Sequence, residues 1–278
     1  MQELKELIKR CKHKILNGGK CPMLVEIRDK YVNHYGISNR HIKPYKGSMS
    51  DKVGIKIANA YEELEHSPDN FLVKICYEQL AREVLNQFDF LNERENIIYE
   101  PFTSEGEPYE NSYEMLKDIH QNHLFFFKTE SGFGENNSSE ANKMLEKTDF
   151  KYNGYEFVIN DIFRIVHDIF GHAMNGYSFG PKGEDMAWHT HMQMFSPLAA
   201  AAITTETRGQ NCWVNFGPHM RNKRGEIFNI YESGYIPPQK RPFAQQKMGL
   251  LPSDISGIQI IEKNGVAVAE VLTDWNFF

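Results

Sequence analysis

NDIFRIVHDIFGHAMNGYSFGPKGEDMAWHTHMQMFSPLAAAAITTETR, residues 160–208, reads as three successive helices, and that reading decides the fold. Apolar residues at 162, 163, 165, 166, 169 and 170 mark the first, with Asn160 as its N-cap and Gly171 as its stop. A second is expected from about Glu184 to Phe195. Ser196-Pro197 supplies a cap and a first-turn proline for a third, LAAAAITTET, expected to end before Gly209. Between Val166 and His191 lie four of the chain's eleven histidines, among acidic and amide side chains. The residues that set the fold are therefore also candidates for its chemistry.

Upstream, LKELIKRCKHKIL is amphipathic, and FLVKICYEQLAREVLNQFDFL repeats apolar residues every three or four positions after the start signal Ser67-Pro68-Asp69. The polar stretch EPFTSEGEPYENS interrupts this helical layer. Tyr113 to His120 resumes a short helix that leads into HLFFFK, an expected buried strand. TESGFGENNSSE follows as a surface loop, and its Gly132 and Gly134 form neither a dinucleotide nor a P-loop fingerprint. Downstream, YIPPQKRPF is proline-broken loop, and Asn264-Gly265 between apolar runs predicts a hairpin. The expected fold is mainly α (α+β): one compact unit with a helical N-terminal part at 1–66, a metal-binding catalytic part at 67–278, a few short strands and a C-terminal β-hairpin.

With 278 residues, 41% hydrophobic and 24% charged, the chain can bury a substantial core. A net charge of −6 argues against binding nucleic acid by phosphate neutralisation, and the basic run in the first twenty residues reads as a solvated helix face. No signal peptide and no apolar run of about eighteen residues is present, so a cytoplasmic protein without a membrane span is expected. Cys11, Cys21, Cys76 and Cys212 lack CxxC spacing and read as reduced thiols. Nothing in the sequence points to an oligomeric state.

His167 and His172 are five residues apart. On an α-helix that spacing turns one side chain about 140° from the other, so one straight α-helix cannot hold both on one ion. A helix ending at Gly171 would let His172 fold back toward His167. Two imidazoles and one carboxylate on one face of an octahedron suit Fe(II), with positions left open for dioxygen and a small-molecule substrate. Glu206, in the last turn of the alanine-rich helix and followed by Arg208, Gln210 and Asn211, is the expected third ligand. Glu184 and His191 are its rivals; seven residues apart, they share a helix face with Trp188, while His189 points the other way. Asp168 and Arg208 are expected to orient ligands or cosubstrate, which gives Asp168, Glu184, His191 and Arg208 as the catalytic set. The same ligands would serve a hydrolase using Zn²⁺ or Mn²⁺, with Glu184 or His191 as general base. A third reading is a structural protein whose histidines satisfy a polar core.

HDIFGH resembles the HELLGH of the pterin-dependent aromatic amino acid hydroxylases, and ITTE, 34 residues after His172, resembles that family's FTVE, which carries its third iron ligand. The resemblance covers roughly residues 113–217. It implies a helix-rich catalytic domain, an iron site at His167, His172 and Glu206, and a tetrahydropterin cosubstrate for a monooxygenase. INDIFRIV stands where that family has PEPD, and an alanine run replaces the tryptophan before its glutamate. Over its whole length the chain resembles proteins and protein segments of tailed bacteriophages. QFDF, GEPYENSYEM, HLFFFKTESGFG, FRIVHDIFGH, GEDMAWHTHMQMFSPLAAAAITTETRGQNCWVNFGP and QKMGLLP carry that pattern, which retains His167, His172, Glu184, His191 and Glu206 but not His189. It implies the host-cell cytoplasm as the setting and names no reaction.

Overall fold

A computed structural model describes residues 21–37, 49–129 and 141–272. The expected first helix, with Cys11, and the glycines at 132 and 134 lie outside the described residues. What is described is helix-rich, with three short strand pairs. Helix α1 spans Pro22–His34, α2 Asp51–Glu63 and α3 Phe71–Asn92. Strand β1 (Ile98–Phe102) and strand β2 (His123–Phe127) pair in parallel, which requires the crossover supplied by α4, Ser112–Ile119.

Helix α3 is the spine. Asn70 caps it by accepting hydrogen bonds from the Leu72 and Val73 amides, one position after the expected start signal. Its buried residues recur at three- and four-residue spacing, through Val73, Tyr77, Leu80, Val84, Phe88 and Leu91, and turn one apolar stripe inward. Against this stripe pack α5 (Ile159–His167) and α7 (Pro197–Thr204). The buried run Ala199–Ala202 presents only methyl groups from α7 to its neighbours, which lets it pack closely. A second, smaller core joins α2 to α8 (Gln210–Phe216). There Gly54 sits so close to Phe216 that a Cβ would lie 2.4 Å from the ring.

Several expectations change on contact with the structure. Helix α5 begins at Ile159 with Val158 at its cap; Asp161, not Asn160, does the capping, accepting from the Val158 amide at 3.0 Å and from the Tyr155 hydroxyl at 2.9 Å. Gly171 does not stop the chain. Residues Asp168–Ala173 continue as a π-helical turn, in which the Met174 amide donates to the Ile169 carbonyl five residues back. Gly209 is no stop either: Thr205–Gly209 forms a second π-helical turn that joins α7 to α8. Helix α6 spans Pro181–Met192, starting three residues earlier than expected.

Strands β3 (Lys147–Tyr152) and β4 (Tyr155–Val158) form a hairpin absent from the sequence reading, although Asn153 and Gly154, both at positive φ, carry its signal. The C-terminal hairpin is present as expected: β5 (Ile258–Lys263) and β6 (Val266–Val271) turn at Asn264 and Gly265, φ 55° and 76°. Among the described residues no helix is long and apolar enough to cross a membrane. Among the described residues Cys21, Cys76 and Cys212 are buried and none is in a disulfide.

Candidate metal centre

Among the described residues, one group of three side chains brings ligand atoms within 4.8 Å of one another: His167, His172 and Glu184. The π-helical turn makes this meeting local. Where hydrogen bonds run between residues five apart, residue i+5 stands over residue i, so the spacing that fails on an α-helix succeeds here. The two imidazoles lie with ring centroids 5.2 Å apart and planes nearly perpendicular. Gly171 fits the crowding between them and α6; a Cβ there would sit 3.1 Å from His167 Cε1 and 3.2 Å from Ala187 Cβ.

Glu184 arrives from the first turn of α6. Its Oε2 lies 3.2 Å from His172 Nε2 and 3.8 Å from His167 Nε2. Phe163 stacks on His167 at 5.8 Å between centroids, and Phe179 meets His172 edge-on at 5.1 Å, so apolar rings restrict both imidazoles.

Hydrogen bonding fixes the tautomers. Gln87 Nε2 donates to the Met194 carbonyl, which leaves Gln87 Oε1 to accept from His191 Nε2 at 2.8 Å. A neutral His191 then has only a lone pair on Nδ1, and His167 Nδ1–H must donate to it across 3.1 Å. The consequence is a lone pair on His167 Nε2, a buried atom with no hydrogen-bond partner. His172 Nδ1 donates to the Tyr177 carbonyl at 3.2 Å, which turns its Nε2 toward Glu184. Each imidazole thus has its rear nitrogen occupied and its front nitrogen turned to a common point.

The electrostatics follow from burial and pairing. Burial holds His167 below its ordinary pKa and drives His191 well below it, so the relay imidazole is neutral. For His172 burial acts in the same direction, but the Glu184 carboxylate outweighs it and raises the group to about 9. Burial would raise Glu184; the charged His172 imidazole, the largest opposing effect, reverses this and holds it at about 2. Without a cation between them, His172 and Glu184 form an ion pair.

The other expected site residues divide. Asp168 lies beside the group, coupled to His172, Glu184 and Arg164, and burial raises its carboxyl to about 7. His191 is placed behind His167 as the relay. His189 faces away and meets Gln193. Trp188, on the same side of α6 as Glu184 and His191, is engaged by α7 and the second π turn: its Nε1 donates to Thr204 and its ring lies under Arg208. Glu206 stands outside the converging group, its carboxylate accepting from the Tyr77 hydroxyl at 2.6 Å and Gln210 Nε2 at 2.8 Å. Burial raises it to about 7 despite these donors. Arg208 is 1% exposed and acts as a strut: Nε donates to Asp185 at 2.8 Å and Nη1 to the Ile255 carbonyl at 2.7 Å.

Sequence reasoning missed Gln87, Tyr77 and Arg164. Only Arg164 carried a local signal, lying one turn before His167 and Asp168 on the same helix face. Compared with known proteins, the chain matches no family model, no curated protein and no solved structure.

Proposed function

We propose that this protein is a metal-dependent enzyme with a mononuclear centre held by His167, His172 and Glu184, and that it acts as a non-haem Fe(II) oxygenase on a small-molecule substrate. The observation that carries the reading is His167 Nε2, a buried lone pair without a partner that faces a second imidazole nitrogen and a carboxylate oxygen. Orphaned buried acceptors are rare because they cost about 1–3 kcal/mol. A cation removes that cost. Donors about 2.1 Å from an ion and at right angles lie about 3 Å apart, close to the 3.2 and 3.8 Å found from Glu184 to the two histidines.

A bound Fe(II) in a site of two histidines and one carboxylate supplies open coordination positions for dioxygen and substrate. The chain's own residues do the rest. Gln87 and His191 hold the His167 lone pair in place, and the Tyr177 carbonyl does the same for His172. Phe163 and Phe179 keep water from the imidazoles. Asp168, a carboxyl beside His172 and Glu184, can hold a proton at its Oδ atoms next to the ligands. The expected tetrahydropterin remains part of this reading as the cosubstrate to test.

Asp168 also favours a second reading. A carboxylate adjacent to the ligand group suits a general base, and Zn²⁺ or Mn²⁺ on the same ligands would make a hydrolase.

Metal content after anaerobic purification, followed by oxygen uptake with and without a tetrahydropterin, separates these. About one iron per chain with oxygen uptake is the expected result. Zinc or manganese with no oxygen uptake favours the hydrolase. No bound metal after reconstitution contradicts both and leaves the histidines as a polar core.

A further inference from the structure

A cavity of about 520 Å³ lies among α1, α3, the α6–α7 junction and the last hairpin, and none of the three candidate metal ligands lines it. Its size is that of a small-molecule site. Glu83, on α3, lines it and is 6% exposed. The carboxylate accepts hydrogen bonds from Gln79 Nε2 at 2.6 Å and from the Ser196 amide at 2.7 Å. Both donors are neutral, and among the described residues no lysine, arginine or histidine forms an ion pair with it. A carboxylate withdrawn from water without a cation is costly, and buried charges in proteins are as a rule paired.

Two more features point to the missing partner. Ser196 Oγ, on the same wall, is buried with no hydrogen-bond partner. Tyr31 and Tyr35 also line the cavity, their ring centroids 4.8 Å apart and tilted by 44°. Aromatic faces beside a carboxylate are the usual surroundings of a bound ammonium group. Ile37 and Phe195 complete an apolar wall.

We propose that this cavity binds a small organic amine, its ammonium head on Glu83 beside the Tyr31 and Tyr35 rings, with Ser196 Oγ as a hydrogen-bond partner and its apolar body against Ile37 and Phe195. The site is separate from the metal centre and stands whether or not that centre binds iron.

Calorimetry on the full chain tests this with three probes of matched shape: 2-phenylethylamine, 2-phenylethanol and phenylacetate. Saturable binding of the amine is expected, with the alcohol at least about tenfold weaker and phenylacetate not bound. Glu83→Gln should lower amine affinity by about tenfold or more and leave the alcohol unchanged; His167→Ala should change neither. Tyr35→Ala, at a residue 42% exposed, should also weaken the amine and serves where the Glu83 variant does not fold. The proposal is overturned by no saturable amine binding, by equal affinity for amine and alcohol, by amine binding unaltered in the folded variants, or by its loss in His167→Ala alone.

Discussion

The two π-helical turns share a backbone irregularity and differ in how they treat their polar side chains. In Asp168–Ala173 and its flank, front nitrogens of His167 and His172 point at Glu184, and His167 Nε2 has no hydrogen-bond partner. In Thr205–Gly209 the carboxylate of Glu206 is taken up by Tyr77 and Gln210, and Arg208 is taken up by Asp185 and the Ile255 carbonyl. A π turn alone therefore does not mark the site. A lone pair without a hydrogen-bond partner does when it lies where three ligand atoms meet, as His167 Nε2 does.

The largest effect expected is on folding, from the second turn. Arg208→Met would leave Asp185 buried without its guanidinium, at a cost of about 3–5 kcal/mol, read by chemical denaturation. Its metal content should be unchanged. His172→Ala should do the reverse, emptying the centre at a smaller cost in Tm. Loss of metal in a folded Arg208→Met would break the comparison.

Next is the relay. Gln87→Leu removes the acceptor that fixes the His191 tautomer, and with it the reason for His167 Nε2 to carry a lone pair. Metal affinity should fall about 10–100-fold in a competition titration, with the fold retained.

Glu206 sharpens the contrast through pH. Its folded pKa of about 7 lies above the ordinary value of 4.5, so the fold favours the protonated carboxyl. The stability this contributes is complete below about 4.5 and is lost as pH rises through 7. Glu206→Gln imitates the protonated form and escapes the loss, so it should gain on wild type by up to about 3 kcal/mol between pH 5 and 8 in urea denaturation. A constant difference across that range would show that Glu206 is not held protonated.

The smallest effect is at Gly171. A methyl there gains helix propensity of about 1 kcal/mol but presses on the His167 ring, so stability should hardly change while metal affinity falls a few-fold.

Helices α3 to α7, HLFFFK and the last hairpin were legible because period and turn chemistry are local, whereas α1 and α2 were read only as part of a helical N-terminal region and α8 was not read. The π turns were half legible. Five-residue histidine spacing excludes a straight α-helix, and a stop at Gly171 was the simpler inference; nothing local distinguishes a stop from a π turn, because tertiary packing against α6 decides it. Glu184 was named among the ligands' rivals, and the distance to His172 that favours it over Glu206 depends on how α6 lies across α5. Gln87 and Tyr77 were invisible for the same reason, each acting across more than 100 residues of chain.

Parallel metal titrations of wild type, Glu184→Ala and Glu206→Ala test the central claim most directly. One tight site in wild type, retained in Glu206→Ala and abolished in Glu184→Ala, is the predicted result. Retention in Glu184→Ala with loss in a folded Glu206→Ala would contradict it and move the third ligand to the second π turn.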